Sequence, residues 1–77
     1  MLSGVELPND RKAVIVPTQV LRGIRRAQSA KGVNQYSIAA VTVAARKLGE
    51  EAAFSWLSRH PLLYLEGVFH GFVEEQP

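Results

Sequence analysis

The hydrophobic pattern of the chain changes its period at Pro17. Before this proline, the β-branched run Val14-Ile15-Val16 is typical of a strand, and a proline, which cannot donate to a sheet, should end it. After it, apolar residues recur at helical spacing and share one face: Val20, Leu21, Ile24 and Ala27. The pattern predicts a strand and then a helix, with Thr18 as N-cap and Gly32 as C-terminal stop. Gly23 inside this helix either allows a close approach or is tolerated at a cost.

A second helix is predicted after Asn34, which is a good N-cap. Its apolar stripe consists of Ile38, Val41, Ala45 and Leu48. The stripe extends to Ala52 and Trp56 if the helix continues through Gly49, but the glutamates after Gly49 could equally begin a new helix. The opposite side is apolar as well, with Tyr36, Ala40 and Val43. A helix that is apolar on two sides is expected to be buried on two sides, which in so short a chain indicates packing within a dimer.

The last apolar segment begins at Pro61, which suits the first turn of another helix. Its apolar residues continue at helical spacing: Leu62, Leu65, Phe69, Phe72 and Val73. Gly67 and Gly71, four residues apart, should leave a shallow face against which another helix could pack. We expect residues 74–77 to form a solvated tail and residues 1–10 to form an irregular arm.

Length and composition restrict the class of protein. The 77 residues fit one small domain, and the absence of cysteine excludes disulfides and cysteine-based zinc sites. No apolar run approaches the ~20 residues that span a bilayer, and the first residues do not resemble a signal peptide, so a cytoplasmic protein is expected. A chain of this size buries only ~60% of its unfolded surface, which makes it marginally stable alone and favours a dimer.

Charge is distributed unevenly along the chain. Residues 1–49 contain eight of the nine basic residues but only two of the seven acidic ones, so the net charge of +2 joins a basic part to an acidic part. The basic face consists of Lys12, Arg22, Arg25 and Arg26. Such a division indicates a segment that faces a polyanion, although small helical proteins can also scatter charge unevenly by chance. The arginines could meet phosphate or an acidic partner, including the acidic C-terminal segment of the chain itself, or they could form a solvated helix face.

The order of strand, helix, glycine-containing turn and second helix over residues 11–49 resembles the ribbon-helix-helix (Arc/MetJ-type) DNA-binding proteins. The resemblance implies a mainly α fold with one short N-terminal β-strand. It also implies a dimer in which one strand from each chain pairs antiparallel, forming a ribbon that enters the major groove of DNA. Residues 50–77 would then be an acidic helical extension that stabilises the dimer, builds higher oligomers or binds a partner protein.

The resemblance also assigns roles to residues. Strand alternation turns Val14 and Val16 towards the core, leaving Arg11, Ala13 and Ile15 to face the bases. Arg11 suits guanine, whereas Ala13 and Ile15 offer apolar contacts where the family usually has polar side chains. In this family the start of the second helix holds a DNA phosphate, a role that falls here to Lys31, Val33, Asn34 and Gln35.

The predicted function is therefore a small dimeric DNA-binding transcriptional regulator of the repressor or antitoxin type, bound to double-stranded DNA. The alternative is a protein-binding inhibitor or adaptor of the kind that phages and mobile elements encode, because Ala13 and Ile15 suit a protein contact. Its partner surface would use aromatic residues of the acidic part: Trp56, Tyr64, Phe69 and Phe72.

No enzymatic activity is predicted. His60 and His70, with Glu66 between them, lack the further ligands that a metal site requires. The serines near these histidines show no nucleophile elbow and no orienting acid. We expect no catalytic residue, metal or cofactor.

Overall fold

The computed structural model describes residues 13–75, which are mainly helical. Two short strands, β1 (Val14–Val16) and β2 (Phe72–Glu74), flank four helices in the order β1–α1–α2–α3–α4–β2. The helices are α1 (Thr18–Ser29), α2 (Ile38–Lys47), α3 (Glu51–Arg59) and α4 (Pro61–His70). The predicted mainly α class is therefore confirmed, but a second strand replaces the expected helical C-terminus.

Helices α1, α2 and α3 pack against one another and form the core. The predicted apolar face of α1 is confirmed, because Val20, Leu21, Ile24 and Ala27 are all buried. Gly23 is buried on this face, where a Cβ would stand 2.6 Å from the Cβ of Ala53 on α3. The glycine therefore allows α1 and α3 to approach closely. Since α3 belongs to this core, the acidic part of the chain shares its hydrophobic interior with the basic part.

The predicted ends of α1 were wrong. Thr18 is the first helical residue rather than the N-cap, because the extended backbone at Pro17 already precedes the helix and fixes its entry. The helix ends at Ser29 with Ala30 in extended conformation, so Gly32 lies in the following connection and does not stop the helix. A clear apolar face therefore predicted the helix correctly, while its boundaries depended on local backbone conformation.

The predicted N-cap of α2 was also wrong. Ser37 is the N-cap, and its Oγ accepts a hydrogen bond from the backbone N–H of Ala40 at 3.2 Å. The Oδ1 of Asn34 accepts instead from the N–H of Tyr36 at 2.9 Å, which forms a local turn. Asparagine favours such a turn as strongly as it favours a helix N-terminus, so the sequence pattern fitted both residues.

Gly49 separates α2 from α3 and so decides between the two alternatives left by the sequence. Its φ of 75° is left-handed, a conformation that favours glycine. The N–H of Glu50 bonds to the carbonyl of Ala45 at 2.9 Å, and the N–H of Gly49 bonds to that of Arg46 at 3.1 Å. These two bonds form a Schellman motif, which ends α2 and turns the chain into α3.

The strands β1 and β2 pair in parallel, with Ile15 opposite Val73. Val14 and Val16 are buried and Ile15 is 68% exposed, as predicted from strand alternation. The predicted helical continuation through Phe72 and Val73 was wrong, because the chain leaves α4 at Gly71 and extends along β1. Part of the expected solvated tail, Glu74, belongs to β2.

Gly67 does leave a shallow surface on α4, but its occupant is not another helix. The ring of Phe72 lies where a Cβ of Gly67 would project. This ring also contacts Tyr64 and Trp56, with centroid distances of 5.9 and 6.4 Å. The shallow face therefore accepts a side chain from the following strand and anchors β2.

Candidate nucleic-acid interface

The solvent face of α1 carries three exposed arginines. Arg22, Arg25 and Arg26 are three or four residues apart, so they share the side of the helix opposite its buried face. They line a groove of about 410 Å³ together with Ser29, Ala30 and Leu48, which we call the arginine groove. Three of the four residues of the predicted basic face thus line one open groove along α1, and the fourth, Lys12, lies outside the described residues.

One of these arginines is partly neutralised. The guanidinium of Arg26 forms an ion pair with the carboxylate of Glu50, next to the first turn of α3. Among residues 13–75, Arg22 and Arg25 make no ion pair. Arg22 and Arg25 therefore remain available for an anionic ligand, while Arg26 also connects α1 to α3.

A second groove, of about 540 Å³, adjoins the arginine groove, and Ala30 and Leu48 line both. Small and aliphatic residues of α2 form most of its surface, including Ala39, Ala40 and Val43. Its charged residues are Lys31 and Lys47. We call it the alanine groove. The two grooves adjoin, and we call them together the basic surface, with the arginines on the α1 side and mainly apolar residues on the α2 side.

Tyr64 of α4 fixes the connection between α1 and α2. Its buried hydroxyl donates a hydrogen bond to the carbonyl of Gln35 at 2.6 Å and accepts one from Gln28 at 3.0 Å. Burial raises the pKa of Tyr64, and the hydrogen bond from Gln28 opposes this change. The phenol thus remains protonated and holds in place the segment that forms a wall of both grooves.

The predicted phosphate site does not lie at a helix N-terminus. Lys31, Val33, Asn34 and Gln35 belong to the connection before α2, and the helix begins only at Ile38. The assignment of a helix N-terminus to these residues was therefore wrong, since Ser37 rather than Asn34 is the cap. Lys31 is nevertheless exposed within the basic surface, in the alanine groove.

The structure describes only part of the predicted base-contacting strand. Arg11 and Lys12 lie outside the described residues. Ala13 is half-buried and Ile15 is exposed. The exposed neighbour of Ile15 is Val73 of β2, its partner in the sheet, so the outer face of the sheet is apolar at this point.

The predicted aromatic partner surface is mostly interior. Trp56 and Tyr64 are buried, and Phe72 is half-buried against both of them, because these rings build the contact between α3, α4 and β2. Phe69 alone of the four is exposed, at 67%, with its ring 5.9 Å from the ring of Tyr36. Sequence reasoning missed Leu62, which is 73% exposed on the same helix. The charged Glu66 between Leu62 and Phe69 on one helix face was the signal for an outward orientation.

Comparisons with known proteins give no relative. The chain matches no protein-family model, and neither a curated protein nor a solved structure matches it. Residues 13–75 contain no cluster of three metal-ligating side chains. In the same part of the chain, no helix has the length and apolar character required to cross a membrane.

Proposed function

We propose that the protein is a small DNA-binding regulator that contacts the phosphate backbone through the arginine groove. The observation that carries the proposal is the row of arginines on α1 in the arginine groove, where Arg22 and Arg25 make no ion pair within residues 13–75. Arginine presents a planar set of donors that matches phosphate oxygens. A groove lined by such side chains concentrates the positive potential that attracts a polyanion.

The described acidic residues are compatible with this proposal. Glu50 is engaged by Arg26. Glu74 of β2 lines a further groove with Arg22 and Arg25 without an ion pair to either. The other described acids lie on α3, on α4 and at position 75. Phosphate contacts position a protein on DNA without selecting a sequence, whereas sequence is selected by contacts to base edges. The ribbon-helix-helix resemblance assigns those base contacts to Arg11, Ala13 and Ile15.

A dimer belongs to the same proposal, and the free edge of β1 supports it. The N–H of Val14 and the carbonyl of Val16 bond towards β2, to Gly71 and Glu75. Because backbone groups alternate along a strand, those of Ile15 face the opposite edge, where no strand of residues 13–75 lies. Antiparallel pairing of two such edges would produce the ribbon of the ribbon-helix-helix class, extended by β2 on each side.

The salt dependence of DNA binding tests the proposal. We expect wild-type protein to bind duplex DNA with an affinity that falls steeply as salt is increased, because phosphate contacts release counterions. Replacing Arg22 and Arg25 with glutamine should reduce the slope of log affinity against log salt by about one per arginine lost. Fluorescence anisotropy with a labelled duplex measures both quantities.

Arg59→Gln is the matched control, because Arg59 is an exposed arginine at the end of α3, outside both grooves. It should leave the slope near that of wild type. Equal slopes for wild type and for the Arg22/Arg25 variant would refute the proposal, as would an affinity that does not depend on salt.

A protein-binding role is the second candidate, and the apolar outer face of the sheet favours it. Ile15 and Val73 form an exposed apolar pair whose side chains have neither a charge nor a hydrogen-bond donor for a phosphate. An adaptor would use this pair and would lose its partner on Ile15→Ser, whereas the salt dependence measured with DNA would be unaffected by that change.

A further inference from the structure

The alanine groove is an apolar helix face that the chain itself leaves open. α2 buries Val41, Ala44 and Ala45 against the core, yet Val43 on its other side remains 50% exposed. The groove is rimmed by Lys31 and Lys47, and among the described residues no acidic side chain lines it. A surface complementary to this groove is therefore an apolar ridge that carries negative charge.

α4 presents a ridge with these properties. Leu62, Glu66 and Phe69 lie at helical spacing on one exposed face, with the carboxylate between two large apolar side chains. The ridge from Leu62 to Phe69 is about 10 Å long at 1.5 Å per residue. The stretch of α2 from Ala39 to Lys47 is about 12 Å long by the same measure. Ridge and groove therefore match in length, apolar character and charge.

We infer that the α4 ridge of one copy of this chain occupies the alanine groove of a second copy. Leu62 and Phe69 cover the apolar surface of α2, and Glu66 lies between the two lysines. Packing of α2 against α2 of another copy would instead bring two lysine-rimmed surfaces together without an acid to balance them. The charge pattern thus selects α4 as the occupant.

The positions of ridge and groove allow the contact to be reciprocal. The ring of Phe69 lies 5.9 Å from the ring of Tyr36, which belongs to the connection just before α2. One end of the ridge therefore lies near the first turn of α2, whose Ala39 and Ala40 line the groove. A two-fold axis through this region pairs each ridge with the groove of the other copy, which gives a closed dimer rather than an open filament.

The small core gives this dimer a physical reason. Within residues 13–75 the buried core consists of thirteen apolar or aromatic side chains, four of which are alanines, and this is a modest interior for a small domain. Burial of Leu62, Phe69 and Val43 between copies adds apolar surface that one chain cannot cover. The contact uses α2 and α4 and leaves the β1 edge free, so it is separate from strand pairing through β1, and the change in self-association between wild type and each variant reports on it.

Charge reversal in the full-length chain tests the contact, with self-association measured by analytical ultracentrifugation in the absence of DNA. Glu66→Lys is expected to weaken dimerisation on the order of tenfold, because each reversal occurs twice in a symmetric dimer. Lys31→Glu combined with Lys47→Glu should weaken it similarly. Combining all three substitutions should restore association, since the ion pairs are re-formed with opposite polarity. Glu75→Lys, which reverses an exposed acid outside the ridge, is the control.

Removal of the apolar contacts should have a larger effect. Leu62→Ser and Phe69→Ser are each expected to weaken dimerisation on the order of a hundredfold, as for residues at the centre of an interface. Both side chains are exposed, so circular dichroism should report a wild-type fold. A wild-type chain that is monomeric up to millimolar concentration would overturn the inference. So would a Glu66→Lys protein that associates like wild type, or a triple variant that fails to recover. The Leu62, Glu66 and Phe69 variants leave both grooves intact, so they separate self-association from the salt dependence of DNA binding, whereas the Lys31 and Lys47 variants change both.

Discussion

Helices α1 and α4 are attached to the core in similar ways but leave opposite surfaces to solvent. Each contains a buried glycine, and each buries apolar or aromatic side chains against the centre of the protein. α1 turns arginines outward, whereas α4 turns Leu62 and Phe69 outward. The charged outer face of α1 can remain in contact with water, so this helix needs no further packing partner. The outer face of α4 leaves apolar side chains in contact with water, and this is the surface that the proposed contact with a second copy would cover.

The two buried glycines also differ in what they meet. A Cβ on Gly23 would strike the Cβ of Ala53, which is fixed to the backbone of α3 and cannot rotate away. A Cβ on Gly67 would strike the ring of Phe72, which belongs to a short strand near the C-terminal end. We therefore expect α1 to be held by a rigid contact and the end of α4 by one that yields.

The largest effect should come from the side chain that anchors α4. Tyr64→Ala is expected to lower the free energy of unfolding by about 3–5 kcal/mol, because it removes a fully buried ring and leaves a cavity. Tyr64→Phe keeps the ring but leaves the carbonyl of Gln35 and the amide of Gln28 without this partner, so it should cost about 1–3 kcal/mol. Urea denaturation measures both. A Tyr64→Ala protein as stable as wild type would mean that α4 is not anchored to the core through this residue.

The contact between Gly23 of α1 and Ala53 of α3 predicts an intermediate effect on the free energy of unfolding. Gly23→Ala should lower the free energy of unfolding by about 1–2 kcal/mol, because overpacking against Ala53 outweighs the better helix propensity of alanine. The same denaturation experiment with Gly23→Ala and Ala53→Gly together should recover part of this loss by re-opening the space. A stabilised Gly23→Ala protein would show that α1 and α3 can separate at little cost.

The yielding contact of α4 predicts the smallest change in global stability. Gly67→Ala should alter the free energy of unfolding by less than about 1 kcal/mol, since the gain in helix propensity offsets the displaced ring. The local effect should be larger. Displacement of Phe72 loosens β2, so the N–H groups of Val14 and Glu75, which bond across the sheet, should exchange with solvent faster. Unchanged exchange at both groups, measured by NMR, would indicate that β2 does not depend on Phe72.

How well the sequence predicted each region depended on how clear the local pattern of apolar and polar residues is in that region. The face of α1 was predictable because its apolar residues repeat at one period and its arginines occupy the other side. The inward orientation of Val14 and Val16 followed from strand alternation. At Gly49 the pattern fitted a continuous helix and a break equally well, and the Schellman hydrogen bonds decided for the break. At Asn34 the residue type fitted two local structures, and the structure contains the turn.

The C-terminal region was not predictable from local pattern. Phe72 and Val73 continue the spacing of α4, and only contacts with residues distant along the chain explain why they form a strand. β1 supplies the hydrogen-bonding edge, while Tyr64, Trp56 and Gly67 supply the site for the ring of Phe72. Trp56 and Tyr64 are buried by the same distant contacts, so they are not part of an exposed partner surface as predicted.

The sequence by itself determined the mainly helical class, the buried face of α1, the inward valines of β1 and the arginine row, because each depends on periodicity within one segment. The tertiary structure decided where α2 ends, that β2 exists, that two grooves adjoin and that Tyr64 holds the wall between them. These features arise from contacts between segments far apart in the chain. The residues that flank a tyrosine or a glycine in the sequence do not show which distant residue it contacts.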